Sequence, residues 1–315
     1  MRVAERGKRV NEPEFLAALR TLPLHPGARG LRDDAAVVGG FVLTTDTLVE
    51  GVHFLATDPA ADVAWKLVAV NLSDLAAKGA AVEGVMLNVP LSEDGWDRGF
   101  LGGLAEILAA FAVPLIGGDT VSLPPGAARV LSCTAIGRDA PAPSRTGARA
   151  GDALWVTGTI GDAGAGLAIA QGADGPATLL DAYRRPQPRL AAGRVIAPYV
   201  HAMADVSDGL LIDAARIATA SGLAVTVDLG AVPLSAAYVE WSGGDRDDRL
   251  AAATAGDDYE LLFAADPDWM PPPLPDALPV TRVGTLAAGA GLTLHHGGEP
   301  VPLPARIGWE HGAAV

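Results

Sequence analysis

The sequence predicts an α/β (α+β) protein with two domains, and three observations indicate this. The chain has 315 residues, of which 50% are hydrophobic, so it can bury two cores of ordinary size. Helical and strand patterns alternate in both halves of the sequence. Residues 139–152, DAPAPSRTGARAGD, are rich in proline, alanine, glycine and small polar residues. We therefore predict an N-terminal domain over residues 1–140 and a C-terminal domain over residues 150–315.

The predicted elements of the first half begin with a helix after Asn11. An asparagine cap followed by Pro13 and acidic residues is typical of a helix start, and this helix should run to about Leu22. β-Branched segments on both sides of the Gly39–Gly40 turn predict two short strands. The second half begins with a strand over 153–158 and then alternates helices with strands. The other elements predicted in the first half are helices over 61–78 and 93–111 and strands over 82–91, 113–119 and 129–137.

Composition disfavours two classes of partner. The formal net charge is −14 and no long lysine or arginine cluster is present, so we predict no nucleic-acid partner. No apolar run approaches the roughly 20 residues of a membrane span, and the N-terminus lacks the apolar stretch of a signal peptide. We therefore expect a cytoplasmic protein without a membrane partner. The single cysteine, Cys133, lies in an apolar strand pattern and is predicted to be a small buried residue.

The predicted helix over 61–78 carries the first chemical signal. Most of its residues are apolar, which is typical of a helix buried on most sides. Asn71, Asp74 and Lys78 lie three and four positions apart and therefore form one polar stripe. A carboxylate on such a stripe is either paired internally or faces a cavity. Asp74 is thus either the partner of Lys78 in a structural ion pair or a metal ligand in a cleft.

Further aspartates lie at the ends of predicted elements, where α/β proteins often place their ligands. Any one of them could be an ordinary cap or turn residue. Their number, beside threonines and glycines, favours binding of hard cations such as Mg²⁺. They are Asp33 and Asp34 before a strand, Asp46 and Asp119 at strand ends, Asp205 and Asp208 before a helix, and Asp257 and Asp258 before a strand.

Other site chemistries find less support in the sequence. One cysteine and six scattered histidines give no zinc-ligand spacing. A nucleophile elbow of the G-x-S-x-G type is missing, as is the phosphate-binding loop G-x-x-x-x-G-K-[ST]. Gly158, Gly161 and Gly164 follow a predicted strand, but their spacing does not match the dinucleotide motif G-x-G-x-x-G.

An ordered series of motifs covers almost the whole chain. It comprises RDDAAV, TTDTLVEGVHF, AVNLSDLAAKGA, LIGGDT, SRTGA, GDALWVTGTIGDAGAGLA, DVSDGLLID and AGDDYELLF. In this order and approximate spacing the series resembles the thiamine-monophosphate kinases, of the superfamily that includes aminoimidazole ribonucleotide synthetase and selenophosphate synthetase. The resemblance implies the two-domain fold of that superfamily, a homodimer built from the N-terminal domains, and transfer of the ATP γ-phosphoryl group to thiamine monophosphate. The product would be thiamine diphosphate.

The resemblance also implies roles for individual residues. Three of them have plain alternatives: His53 as a polar residue after a strand, Arg145 as an exposed linker residue, and Trp309 as a tail residue folded onto the core. The implied metal ligands are Asp34, Thr44, Thr45, Asp46, Asp74, Asp119, Asp205 and Asp208. The implied ATP contacts are Gly118, Asp119, Arg145 and Ser207, and the implied contacts of the thiamine substrate are His53, Asp257 and Trp309, with Trp309 stacking on a substrate ring.

The chemistry of this reaction agrees with the residue types. Phosphoryl transfer depends on positioning and charge neutralisation more than on covalent chemistry. The acceptor phosphate has a second pKa of about 6 and is largely ionised near neutral pH, so we expect no general base and no covalent nucleophile. Mg²⁺ usually takes one or two carboxylates, so this number of aspartates predicts several ions. We expect direct in-line transfer without a phosphoenzyme.

Three positions depart from the family pattern. Arg32 stands where a glycine usually precedes the paired aspartates, Ala255 replaces one glycine of a pair, and Asp257 replaces a glutamate and is shorter by one methylene. Two alternatives to the kinase stay open at this point. One is another enzyme of the same superfamily, and the other is a non-catalytic protein that binds nucleotide or thiamine phosphate.

Overall fold

A computed structural model describes residues 12–310, and their N-terminal part forms a five-stranded sheet. The strand order is β1-β2-β5-β3-β4; β3 and β4 are parallel, and the other neighbours are antiparallel. The elements are α1 (Glu12–Leu19), β1 (Ala36–Val38), β2 (Phe41–Val49), α2 (Ala60–Ala77), β3 (Ala81–Leu91), α3 (Asp94–Ala110), β4 (Leu115–Ser122) and β5 (Val130–Arg138).

The C-terminal part forms a seven-stranded sheet in the order β12-β11-β8-β10-β6-β9-β7. Only β8 and β11 are parallel among its described neighbours. The strands are β6 (Ala153–Thr157), β7 (Ala202–Asp205), β8 (Leu223–Asp228), β9 (Leu261–Ala265), β10 (Val280–Ala288), β11 (Gly291–His296) and β12 (Glu299–Val301). The helices are α4 (Asp162–Ala170), α5 (Ala177–Arg184), α6 (Leu190–Ile196), α7 (Leu210–Ser221), α8 (Ala236–Trp241) and α9 (Arg246–Thr254).

Helix α2 is the most deeply buried helix of the N-terminal part. All of its residues from Val63 to Ala77 are buried, which agrees with its nearly continuous apolar sequence. It packs between the sheet, where Cys133 is fully buried as predicted, and helix α3. The buried helix therefore presents its few polar residues to the interior of the molecule.

The C-terminal end of α2 also packs against the second part of the chain. Ala76 and Ala77 share a core cluster with Ile196, Met203 and Phe263. This contact brings the last turns of α2 next to the carboxyl end of β7, and so places polar groups from both parts of the chain near one another.

Two details differ from the sequence predictions. Helix α1 ends at Leu19 instead of Leu22, and its predicted cap, Asn11, lies outside the described residues. Strands β2 and β4 continue past Asp46 and Asp119 to Val49 and Ser122, because the β-branched residues that follow each aspartate extend the strand. Both aspartates therefore lie within strands and not at their ends. Between residues 12 and 310 no helix combines the length and apolar character that crossing a bilayer requires.

We predict that Gly103→Ala destabilises the fold, because a Cβ at this position of α3 would lie 2.1 Å from the Ala61 carbonyl oxygen of α2. The loss in free energy of unfolding should be about 1–3 kcal/mol. The neighbouring Gly102 faces open space, so Gly102→Ala should gain about 0.5–1 kcal/mol from helix propensity. Urea unfolding of both variants measures the difference. Equal effects at the two positions would show that α2 and α3 do not approach this closely.

Candidate active site

Three carboxylates meet where the two parts of the chain contact each other. Asp34 precedes β1, Asp74 lies on α2, and Asp205 ends β7. One oxygen of each lies within 4.8 Å of the others. Asp74 and Asp205 are buried, and the side chain of Asp34 has only 1% of its surface exposed. We call these three residues the acidic cluster.

A cavity of about 1000 Å³ opens over the acidic cluster. Its walls come from β2 and α2 of the N-terminal part and from the segments after β7 and α9 of the C-terminal part. Most of the site residues expected from the sequence line it. They are Asp34, Thr45, Asp46, His53, Asp74, Arg145, Asp205, Ser207, Asp208, Asp257 and Trp309.

Strand β2 is joined to α2 directly beneath the cavity. The buried Thr44 hydroxyl donates a hydrogen bond to Asp74, and the Asp46 amide donates one to the Asn71 side chain at 3.0 Å. Thr45 lies on the opposite face of the strand from Thr44, as alternation requires, and donates to the Cys133 carbonyl at 3.0 Å. The two threonines predicted as metal ligands therefore point in different directions, although Thr45 still lines the cavity.

Gly118 and Asp119 do not lie in the cavity. They belong to β4, where every residue is exposed, and β5 and β3 separate this strand from β2. Gly118 has a packing role there, because a Cβ would lie 2.0 Å from the Leu87 carbonyl oxygen of β3. Within the chain, these two residues are remote from the acidic cluster.

The ion pair between Asp74 and Lys78, one of the two alternatives for Asp74, is not found. Lys78 instead donates to Asp33 and to Asp34, each at 2.6 Å. Arg145 donates to the other oxygen of Asp34. Although burial acts to raise it, Arg145 and Lys78 hold the pKa of Asp34 below its ordinary value.

No lysine or arginine among the described residues forms an ion pair with Asp74, Asp205 or Asp46. Burial, with the charges of Asp46, Asp205 and Asp34, raises the pKa of Asp74 well above its ordinary value. Burial and Asp34 raise the pKa of Asp205 to about 7, and burial with Asp34 and Asp208 raises that of Asp46 to about 6. The site thus holds more negative charge than its own cations balance. Its oxygen-only donors fit a hard cation such as Mg²⁺.

The turn after β7 is held from within by two residues that the sequence analysis did not single out. The amides of Ser207 and Asp208 both donate to the buried Asp213 carboxylate at 3.1 Å. Arg216 donates to Asp213 at 2.8 Å and also to Asp208. The available sequence signal was a carboxylate in the otherwise apolar first turns of α7. These bonds fix the backbone that presents Ser207 and Asp208 to the cavity.

Lys66 of α2, another residue that sequence reasoning missed, organises the far end of the cavity. Its ammonium donates to Asp257 at 2.7 Å and to the His53 carbonyl at 3.2 Å, and lies 4.1 Å from the ring centroid of Tyr183. The Val49 amide donates to Nδ1 of His53 at 3.0 Å, so a neutral ring carries its proton on Nε2. The signal for Lys66 was a lysine inside a buried apolar helix.

Trp309 lies at the mouth of the cavity with 46% of its surface exposed. Its amide donates to the Asp208 carbonyl at 2.9 Å, which anchors the C-terminal segment beside the turn after β7. The Trp309 ring therefore lies on a segment held at the edge of the site.

The three departures from the family pattern have different surroundings. Arg32 is exposed, has an ordinary φ of −124° and does not line the cavity. Ala255 has an extended backbone that alanine adopts without strain, and it lines the cavity wall. Asp257 has a φ of 69°, a conformation that aspartate tolerates better than most residues. Lys66 holds this shorter side chain in place.

Comparison with known proteins gives matches along both parts of the chain. Residues 32–138 match the family AIR synthase related protein, N-terminal domain, and residues 149–296 match the family AIR synthase related protein, C-terminal domain. Thiamine-monophosphate kinase of Caulobacter vibrioides is 39% identical over 311 residues, which cover 91% of this chain and 86% of the relative. Thiamine-monophosphate kinase of Escherichia coli (strain K12) is 36% identical over 310 residues, which cover 90% of this chain and 92% of the relative.

Solved structures extend the similarity to three dimensions. The structure of AaThiL complexed with AMPPCP and TMP superposes with a TM-score of 0.82 at 28% identity, over 98% of this chain and 100% of that one. The crystal structure of thiamine-monophosphate kinase from Stenotrophomonas maltophilia K279a gives a TM-score of 0.72 at 37% identity, over 91% of this chain and 96% of that one. The similarity therefore includes both walls of the cavity.

We predict that Asp46→Asn stabilises the metal-free protein in a pH-dependent manner. The folded-state pKa of about 6 lies above the ordinary 3.8, so the protein loses stability as pH rises between these values and Asp46 ionises. The asparagine removes this loss, and the gain should be about 1–3 kcal/mol at pH 8 and close to zero at pH 4.

Urea unfolding in a chelator at pH 4, 6 and 8 measures this gain. Asp174→Asn, at an exposed position, is the matched control and should show no such trend. Adding Mg²⁺ at pH 8 should favour the wild type, which keeps the carboxylate. A gain for Asp46→Asn that is independent of pH would contradict the charge explanation.

Proposed function

The chain belongs to the thiamine-monophosphate kinase family of AIR synthase related proteins, and from this membership we propose that it transfers the γ-phosphoryl group of ATP to thiamine monophosphate. The products would be ADP and thiamine diphosphate. The observation that carries the proposal is the acidic cluster under a cavity walled by both parts of the chain. The AaThiL complex with AMPPCP, an ATP analogue, and TMP supports a site that accepts both substrates.

The residues suited to hold Mg²⁺ are the carboxylates of the acidic cluster together with Asp46 and Asp208, which line the same cavity. Because Mg²⁺ usually takes only one or two carboxylates, these five residues are more than one ion requires, and we propose several ions. When bound, Mg²⁺ neutralises phosphate oxygens and holds the two substrates in line. The raised pKa values of Asp74 and Asp205 support this assignment, since both groups lie where added positive charge is most favourable.

Arg145 is suited to bind the nucleotide phosphates. Its guanidinium lies in the cavity wall and donates to Asp34, while its Nε is buried without a hydrogen-bond partner among the described residues. A planar guanidinium in the cavity wall, with 18% of its side chain exposed, matches phosphate oxygens well. Ser207, held by Asp213 on the opposite wall, is the second proposed nucleotide contact.

The acceptor end is proposed to lie near His53, Asp257 and Trp309. Lys66 holds Asp257 and the backbone of His53 together, and Trp309 offers an exposed ring at the cavity mouth for stacking. An ionised acceptor phosphate needs no general base, so these residues position the substrate and do not remove a proton. We propose direct in-line transfer on this ground.

A homodimer is the proposed assembly, and the β4 surface is its proposed interface. This surface consists of β4 together with the exposed Met86 and Leu91 of β3. It exposes Leu115, Ile116 and Val121 at 50–57% of their surface, an apolar edge that a partner would cover. Gly118 and Asp119 lie on the same strand, so dimerisation is the step that would bring them to an active site. The N-terminal domain, 1–140, would then provide metal ligands and the interface, and the C-terminal domain, 150–315, would complete the site.

We predict that purified protein converts ATP, Mg²⁺ and thiamine monophosphate into ADP and thiamine diphosphate, and that chelation abolishes the reaction. Asp74→Asn should lower kcat at least about 100-fold, because it removes a ligand from the centre of the acidic cluster. Asp174→Asn, at an exposed site, is the control and should keep wild-type kcat. Chromatography of the thiamine phosphates measures the product.

Three outcomes would contradict parts of this proposal. Nucleotide binding without turnover would indicate a binding protein, and turnover only with a different acceptor would indicate another enzyme of the superfamily. Radiolabelled protein after acid quenching of a reaction with γ-labelled ATP would exclude direct transfer. Unchanged activity of Asp74→Asn would exclude its role as a metal ligand.

The assembly is tested by Val121→Arg on the β4 surface. An arginine in the apolar interface should convert a dimer into a monomer, because its charge would be buried without a partner. Val239→Arg on α8, where valine is also exposed, is the matched control and should leave the mass unchanged. Sedimentation velocity measures both. A monomeric wild type, or a dimeric Val121→Arg variant, would contradict the proposed interface.

A further inference from the structure

The ammonium group of Lys78 lies inside a cage of four oxygen atoms. Two are carboxylate oxygens, from Asp33 and Asp34, each at 2.6 Å. Two are backbone carbonyl oxygens, from Met203 at 3.1 Å and Pro143 at 3.3 Å. The Lys78 side chain has no exposed surface, so no water shares in this shell.

The four oxygens around Lys78 are of the kinds that proteins use to bind a cation stripped of its water. Carboxylate and carbonyl oxygens from three separate places in the chain converge on one point, and they take the place of a hydration shell. An ammonium has three hydrogens to donate, fewer than the oxygens around it. The oxygens therefore stabilise the positive charge of the ammonium, and not all of them can accept a hydrogen bond from it.

The Lys78 ammonium is the third cation around these two carboxylates. Arg29 binds the second oxygen of Asp33, and Arg145 the second oxygen of Asp34. Without Lys78, the inner oxygens of Asp33 and Asp34 would face each other with no cation between them, which is unfavourable although each carboxylate keeps its arginine. A monovalent cation between these oxygens would take the place of the ammonium.

We propose that Lys78 is a tethered monovalent cation, which occupies a cation site that a free ion could otherwise fill. It is a positioning residue for the acidic cluster, since its ammonium fixes one oxygen of Asp34. It also joins the two parts of the chain, because Asp33 and Asp34 lie just before β1 of the first sheet and Met203 lies in β7 of the second. The inference concerns how the cluster is held together and does not depend on which phosphate acceptor is used.

The experiment measures thermal unfolding of Lys78→Met in a chelator with KCl, NH₄Cl or tetramethylammonium chloride at equal ionic strength. Methionine fills the space of the lysine stem but removes the positive charge from the cage. K⁺ or NH₄⁺ can then enter, whereas tetramethylammonium is too large. We expect the Tm of this variant to be at least about 2 °C higher in KCl or NH₄Cl than in tetramethylammonium chloride.

Two controls make this difference specific. The wild type should show no such preference, since its cage is filled. Lys66→Met removes the other buried lysine of α2, whose ammonium binds one carboxylate, one carbonyl and an aromatic ring, and it should show none either. Because this experiment measures unfolding and not activity, its result is independent of the kinase assay. Either proposal can be contradicted while the other is supported.

A second variant covers the case in which Lys78→Met does not fold. Asp33→Asn combined with Lys78→Met keeps four oxygens in the cage and restores the net charge of the wild type. It should show the same preference for KCl and NH₄Cl. Equal Tm values in all three salts would overturn the proposal. So would failure of the double variant to fold in KCl or NH₄Cl, because a free cation would then not replace the ammonium.

Discussion

Repulsion among buried carboxylates is the interaction on which the other features of this structure depend. Two unit charges 4.8 Å apart, the limit within the acidic cluster, repel by about 3–4 kcal/mol at an effective dielectric constant of about 20. A fold of ordinary stability cannot keep several such pairs ionised without compensation. The protein compensates part of the charge with Lys78 and Arg145 and leaves Asp74 and Asp205 with raised pKa values. The uncompensated part is what makes the site attractive to metal ions.

Helix α2 distributes this charge. In its polar stripe, Asn71 accepts a hydrogen bond from the backbone of β2, and Asp74 belongs to the acidic cluster. Lys78 forms ion pairs with Asp33 and Asp34. One turn of helix separates neighbouring members of the stripe, so each reaches a different part of the site. Because the rest of α2 is packed on all sides, these side chains have little freedom to move apart when the charges repel.

Features that depend on local sequence pattern could be predicted, whereas contacts between distant segments of the chain could not. The apolar surroundings of Cys133 and the polar stripe of α2 were visible as periodicity, and both were confirmed. The alternative that paired Lys78 with Asp74 is not observed, because position along a helix cannot show that Asp33 approaches from a loop 45 residues away. Lys66 was missed for the same reason, since Asp257 lies 191 residues further along the chain. The exposure of Asp119 was also unpredictable, because it depends on β4 being an edge strand.

The cations of the site explain why a protein with a net charge of −14 should need metal to bind phosphates. Lys66, Lys78 and Arg216 are each committed to carboxylates of the protein itself. Arg145 also binds a carboxylate, and it alone of these four retains a buried unpaired donor among the described residues. Among the described residues, Arg145 and Arg306 are the two arginines that line the cavity, so the side chains offer little positive charge to two phosphate-bearing substrates. Under the proposed function, most of the neutralisation would come from ions taken from solution and held at the acidic cluster.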